Sequence, residues 1–107
     1  MPDFNNQFAD GKKMTADDLI RGVRFMVAAE YEAVQMYTQL AEATDNDLAK
    51  TVLNKIADEE LVHAGEFIRL LKELAPDEES KYNNGAKEVD DEISKRRGRY
   101  QGIADKE

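Results

Sequence analysis

A chain of 107 residues with 41% hydrophobic and 36% charged residues has the size and balance of one small helix-rich domain, not of a collagen or a linker. It contains no cysteine, which excludes disulfides, thiolate metal sites and rubredoxin-type iron centres, so any metal must sit among oxygen and nitrogen ligands. The formal net charge of -8 argues against general nucleic-acid binding and favours attraction of cations.

Residues 1–14 carry Pro2, Gly11 and three amides without a periodic pattern, which predicts an extended N-terminal arm. The start Met1-Pro2-Asp3-Phe4-Asn5 lacks the basic and apolar regions of a signal peptide. No apolar run approaches the roughly 20 residues that a membrane span needs. A cytoplasmic location with no membrane partner is therefore expected.

Residues 15–75 read as a helical hairpin. Thr15-Ala16-Asp17-Asp18 offers a hydroxyl cap followed by acids in the first turn, where free N–H groups favour negative charge. Leu19, Val23, Met26, Val27, Val34, Tyr37 and Ala41 then recur at spacings of three and four, forming one helical stripe. Thr44-Asp45-Asn46-Asp47 breaks the pattern and offers caps for a second helix, whose stripe is Ala49, Val52, Leu53, Ile56, Phe67, Leu70, Leu71 and Leu74. Helices of about 28 residues are about 40 Å long, and so short a connection forces them antiparallel. Two such helices cannot hide both stripes. The simplest closed solution is a two-fold homodimer forming a four-helix bundle.

Residues 76–107 are more polar. Asn83-Asn84-Gly85 signals a turn, followed by a short helix from Ala86 to about Arg97 with a thin apolar line at Val89 and Ile93. Asp91 with Lys95 and Glu92 with Arg96 are favourable i, i+4 pairs, and the basic cluster Arg96, Arg97 and Arg99 reads as the end of a solvated helix. The fold class is all-α: a two-helix antiparallel hairpin plus a short C-terminal helix.

The chemistry lies in the middle of the two stripes. At 100° per residue, Glu30 falls within about 20° of Leu19, Val23 and Tyr37, and Glu60 and His63 fall within about 60° of Ile56 and Phe67. Inward carboxylates cost several kcal/mol unless protonated, paired or neutralised by a cation. A dimer would gather four glutamates and two histidines, and four negative charges balance two divalent metals. One Glu from each of two helices with Glu-x-x-His from each of the other two is the ligand inventory of carboxylate-bridged di-metal bundles. Imidazole with carboxylate suits iron or manganese, with zinc or calcium able to substitute. The plainer alternative is a buried, hydrogen-bonded Glu60–His63 pair that fixes bundle register, with Glu30 reaching a neighbour's lysine.

The segments Ala29-Glu30-Tyr31-Glu32-Ala33-Val34-Gln35-Met36-Tyr37 and Asp58-Glu59-Glu60-Leu61-Val62-His63-Ala64 resemble the encapsulated ferritins, a branch of the ferritin-like superfamily. The likeness runs from about Asp17 to Leu74. It implies a di-iron ferroxidase centre completed across the dimer, two ions per dimer, with Glu30, Glu60 and His63 as iron ligands and Tyr37 as a neighbour of the site. It further implies an annular ring of dimers, commonly a decamer, and an encapsulin shell protein as partner, which would place the chain inside an encapsulin nanocompartment. Ala29 stands where the family often has a second consecutive acid, and Glu32 remains as the residue for a secondary metal site. Gln101-Gly102-Ile103-Ala104-Asp105-Lys106-Glu107 differs from the short apolar tail that addresses cargo to encapsulin.

From the residues themselves, Tyr37 is equally a hydrogen-bond donor to a ligand or a plain core tyrosine. Glu32 points away from the stripe and reads as a solvated acid, with admission of cations as the sharper alternative. Met26 and Met36 read as packing residues, and Glu59 and Glu66 as acceptors able to orient His63. The expected activity is oxidation of Fe(II) to Fe(III) for storage. Its rivals are a rubrerythrin-like peroxide reductase, disfavoured by the missing cysteine relay, and a helical assembly module without catalytic metal.

Overall fold

In the computed structural model, which describes residues 11–99, three helices follow one another: α1 (Ala16–Ala43), α2 (Asp47–Leu74) and α3 (Pro76–Arg99). The chain divides into two compact units after Leu74. Most of the expected N-terminal arm, and the C-terminal stretch from Tyr100 onward, lie outside the described residues.

Local chemistry fixes the helix ends. The Thr15 hydroxyl accepts from the Asp18 N–H at 3.1 Å while the Asp18 carboxylate accepts from the Thr15 N–H at 3.2 Å, so two otherwise orphaned donors are satisfied reciprocally. α1 stops at Ala43, and the Thr44 N–H returns to the Leu40 carbonyl at 3.1 Å. Only residues 44–46 connect the two long helices. Within them the Asn46 N–H donates to the Thr44 hydroxyl at 3.1 Å, and the Asn46 side-chain carbonyl caps α2 by accepting from the Ala49 N–H at 2.9 Å. No basic residue lies in the last turn of α1. Lys50 supplies the missing cation from α2, donating to the Ala41 carbonyl at 2.8 Å and tying the two helices together beside the connection.

The buried residues of this unit form a narrow seam of Val23 and Ala41 from α1 and Ala57, Ala64 and Leu71 from α2. The α2 members are spaced by seven, the period of helices that wind gently around each other. Of the predicted stripes, Met26, Val27, Val34, Tyr37, Ala49, Leu53, Ile56, Phe67 and Leu74 are half-buried, whereas Leu19, Val52 and Leu70 are exposed. Two helices can only cover one line of each other. The remaining apolar surface includes an open groove of about 350 Å³ lined by Leu19, Val23, Met26, Phe67 and Leu70 among others.

α3 corrects the expected turn. The helix runs unbroken through Asn83-Asn84-Gly85 for 24 residues, where a short helix from Ala86 was expected. Pro76 ends α2 because it cannot continue that helix, and opens α3 because its fixed φ suits a first helical position. Asp77, Glu78 and Glu79 then fill the first turn. An Asn-Gly hairpin turn needs positive φ, and among the described residues only Gly11 has it. The favourable Glu92–Arg96 pair forms at 3.7 Å, while Asp91 and Lys95 make no such pair. A Cβ added at Gly85 meets nothing within 4 Å. Gly85→Ala should therefore stabilise α3 by up to about 1 kcal/mol, read as a rise in helical circular dichroism and in resistance to proteolysis between residues 76 and 99.

Candidate metal centre

Glu30 is the fifteenth of the 28 residues of α1, and Glu60 the fourteenth of the 28 in α2. Antiparallel pairing of equal helices thus brings the two midpoints level. His63 stands one turn beyond Glu60. One ligand atom from each of Glu30, Glu60 and His63 lies within 4.8 Å of the others, a spread that one ion or a pair of ions can span. The cluster predicted from helical spacing is therefore brought together.

Burial is uneven. The Glu30 and Glu60 side chains retain 18% and 19% of their exposure, but the His63 imidazole retains 51%. His63 stands on the rim of the seam and not within it, because the seam on α2 is centred on Ala57 and Ala64. Its Nδ1 lies 3.6 Å from the Glu60 carboxylate and 3.9 Å from that of Glu30. Both distances exceed hydrogen-bond range, so the hydrogen-bonded Glu60–His63 pair of the plainer alternative is not formed. Within the described residues of the chain, Glu30 pairs with no lysine. Its Oε2 is buried and has no hydrogen-bond partner.

An unpartnered buried carboxylate oxygen is an unfavourable arrangement in a helix seam, worth about 1–3 kcal/mol or more. A divalent cation removes that cost directly. Two carboxylates and one imidazole form a hard-to-borderline donor set, which fits iron, manganese or zinc and offers nothing to copper(I). One chain supplies three ligating groups, half of what a carboxylate-bridged pair of metals takes.

The other predicted residues sit farther out. Tyr37 is half-buried, seven residues or about 10 Å along the axis from Glu30, and no hydrogen bond joins its hydroxyl to the cluster. Glu32 is exposed and stands outside the cluster. Glu59 and Glu66 are exposed and make no hydrogen bond to His63. Met26 is half-buried and Met36 exposed. What sequence reasoning passed over is the pair Ala57 and Ala64, buried on either side of Glu60. Their seven-residue spacing, continued by Leu71, was the available signal.

The fold just described has counterparts among known proteins. Residues 24–101 match the rubrerythrin family. An encapsulin nanocompartment cargo protein of Myxococcus xanthus is 39% identical over 67 residues, 63% of this chain and 52% of the relative. A ferritin-like–encapsulin shell fusion protein of Pyrococcus furiosus is 32% identical over 78 residues, 73% of this chain and 23% of the relative. The chain thus spans about half the length of the first and about a quarter of the second. Among solved structures, the encapsulated ferritin domain from Pyrococcus furiosus superposes with a TM-score of 0.73 at 31% identity, covering 75% of this chain and 82% of that one. With the family match extending over most of its length, and a ferritin-like helical fold carrying paired glutamates and Glu-x-x-His, the chain belongs to the rubrerythrin family of ferritin-like proteins.

Proposed function

We propose that the chain is a ferroxidase that takes Fe(II) as substrate at Glu30, Glu60 and His63 of two copies meeting across a homodimer face, and releases Fe(III) for storage inside an encapsulin compartment. The observation that carries this reading is the buried, unpartnered Oε2 of Glu30, held within 4.8 Å of a second carboxylate and an imidazole. A half-set of ligands with an exposed imidazole at its rim favours completion by a second copy. So does the uncovered apolar surface along the hairpin, including Leu19, Val52 and Leu70. In the closed dimer, four carboxylates from Glu30 and Glu60 would balance two Fe(II) ions and, with the His63 imidazoles, would hold them in either oxidation state as each gives up one electron. Dioxygen accepts the two electrons with two protons from solvent to give hydrogen peroxide, or hydrogen peroxide accepts them with two protons to give two waters. Tyr37 and Glu32 take supporting places, the tyrosine along the apolar face and the exposed acid as an attractor of cations. Rings of such dimers, commonly decamers, follow the pattern of the encapsulated ferritins.

The family match favours one rival, a rubrerythrin-like peroxide reductase using the same ligands. The chain's lack of cysteine leaves it without a built-in electron relay, which ranks this reading second. One experiment addresses both. Anaerobic titration with Fe(II), monitored by solution mass, is expected to show one iron per chain with conversion to dimers or rings, followed by faster oxidation with dioxygen than peroxide consumption supported by an external reductant. Protein that binds no iron and keeps its mass would instead favour a purely structural helical module.

A further inference from the structure

We infer that Ala57 and Ala64 are positioning residues of the metal centre, spacers that set the gap between α1 and α2 at which Glu30 meets Glu60 and His63. The inference rests on reading that cluster as a metal site.

These two alanines are among the most buried residues of the hairpin, at 3% and 2% exposure, in a chain that leaves leucines and valines in the open. That inversion of the usual order of burial calls for a reason. Helix axes pack about 8–10 Å apart according to the side chains at the contact, and alanine allows the close end of that range. Ala57 precedes Glu60 by three residues and Ala64 follows it by four, so the contacts lie about 4.5 Å and 6 Å from it along the axis. Glu60 therefore sits between two buried positions of α2 at which the side chain is only a methyl group. Glu30 reaches it from the opposite helix, and the separation of their carboxylates changes directly with the gap between the axes. A larger residue at 57 or 64 would wedge the helices apart and draw Glu30 away from its partners. Ala41 is equally buried, at 3%, but lies eleven residues or about 16 Å from Glu30. A wedge there strains the hairpin without addressing the site.

The test uses the full chain and Co(II), whose visible absorption and binding heat report the ligand set without any turnover. Ala57→Val and Ala64→Val are expected to weaken Co(II) binding by about 10- to 100-fold and to alter its spectrum, as displacing a ligand's support does elsewhere. Ala64→Ser, with little added bulk, should restore near-normal binding. Ala41→Val should melt at a lower temperature yet bind Co(II) as the parent does. Because the two valine variants act on opposite sides of Glu60, the inference does not depend on either one alone folding. Equal losses from positions 41 and 64 would mark a global effect and overturn it. So would helical Ala57→Val or Ala64→Val protein that binds Co(II) normally. Glu60→Ala separates the two layers of argument: unchanged Co(II) binding in that variant would sink the metal site itself, whereas its loss alongside normal binding in the valine variants would sink only the spacers.

Discussion

Glu60→Ala and His63→Ala are each expected to slow Fe(II) oxidation by at least about 100-fold while leaving far-ultraviolet circular dichroism almost unchanged. The expected size follows from arithmetic at the site. Each chain brings three ligating groups, so in a symmetric dimer every substitution removes two of six. The loss exceeds the 10- to 100-fold typical of residues that merely support a ligand. The fold should tolerate it because neither side chain fills the buried seam, which belongs to Val23, Ala41, Ala57, Ala64 and Leu71. No hydrogen bond is lost either, since the His63 contacts at 3.6 Å and 3.9 Å are beyond that range. Stopped-flow oxidation at matched protein and iron concentrations decides the matter. Unaltered rates in both variants would remove these residues from the mechanism.

Glu30→Leu should have the opposite signs on stability and on metal binding. Without metal, the substitution replaces a buried acceptor that lacks a donor with an apolar side chain on an apolar seam, and should stabilise the hairpin by about 1–3 kcal/mol. For a domain of this size each kcal/mol raises the midpoint of melting by about 4–8 °C. With Mn(II) or anaerobic Fe(II) present the order should reverse. The parent gains stability in proportion to the logarithm of metal over its dissociation constant, and the variant gains none. Scanning calorimetry with and without metal reads both effects. A metal-free variant that melts below the parent would mean that Glu30 already has a favourable partner, and the case for a cation would lose its main support.

Much of this was legible in the sequence because helices announce themselves by period and by punctuation. Thr15 with Asp18 marked the first start, Thr44 to Asp47 the connection, and Pro76 the end of α2, and the structure places each there. The Glu30, Glu60 and His63 cluster was legible for the same reason, since angular position follows from residue number once a helix is assumed. Two features were not. Asn83-Asn84-Gly85 resembled a turn because those residues favour one when isolated, but helical neighbours on both sides carry the helix through at negative φ. The rim position of His63 was missed because the α2 stripe was drawn from Ile56 to Phe67 without Ala57 and Ala64, which are two of the three most buried residues of that helix. Periodicity gives direction around a helix. It does not say which neighbour comes nearest.

The level midpoints of α1 and α2 bear on dynamics as well. Each helix is about 42 Å long, so the cluster lies about 20 Å from either extremity, several turns inside the region where amide protons exchange by end-fraying. Slow-exchanging amides should therefore concentrate around residues 26–34 and 56–64, and remain slow until the whole hairpin opens. On the proposed reading, the loosening of either tip leaves the destination of the ions undisturbed.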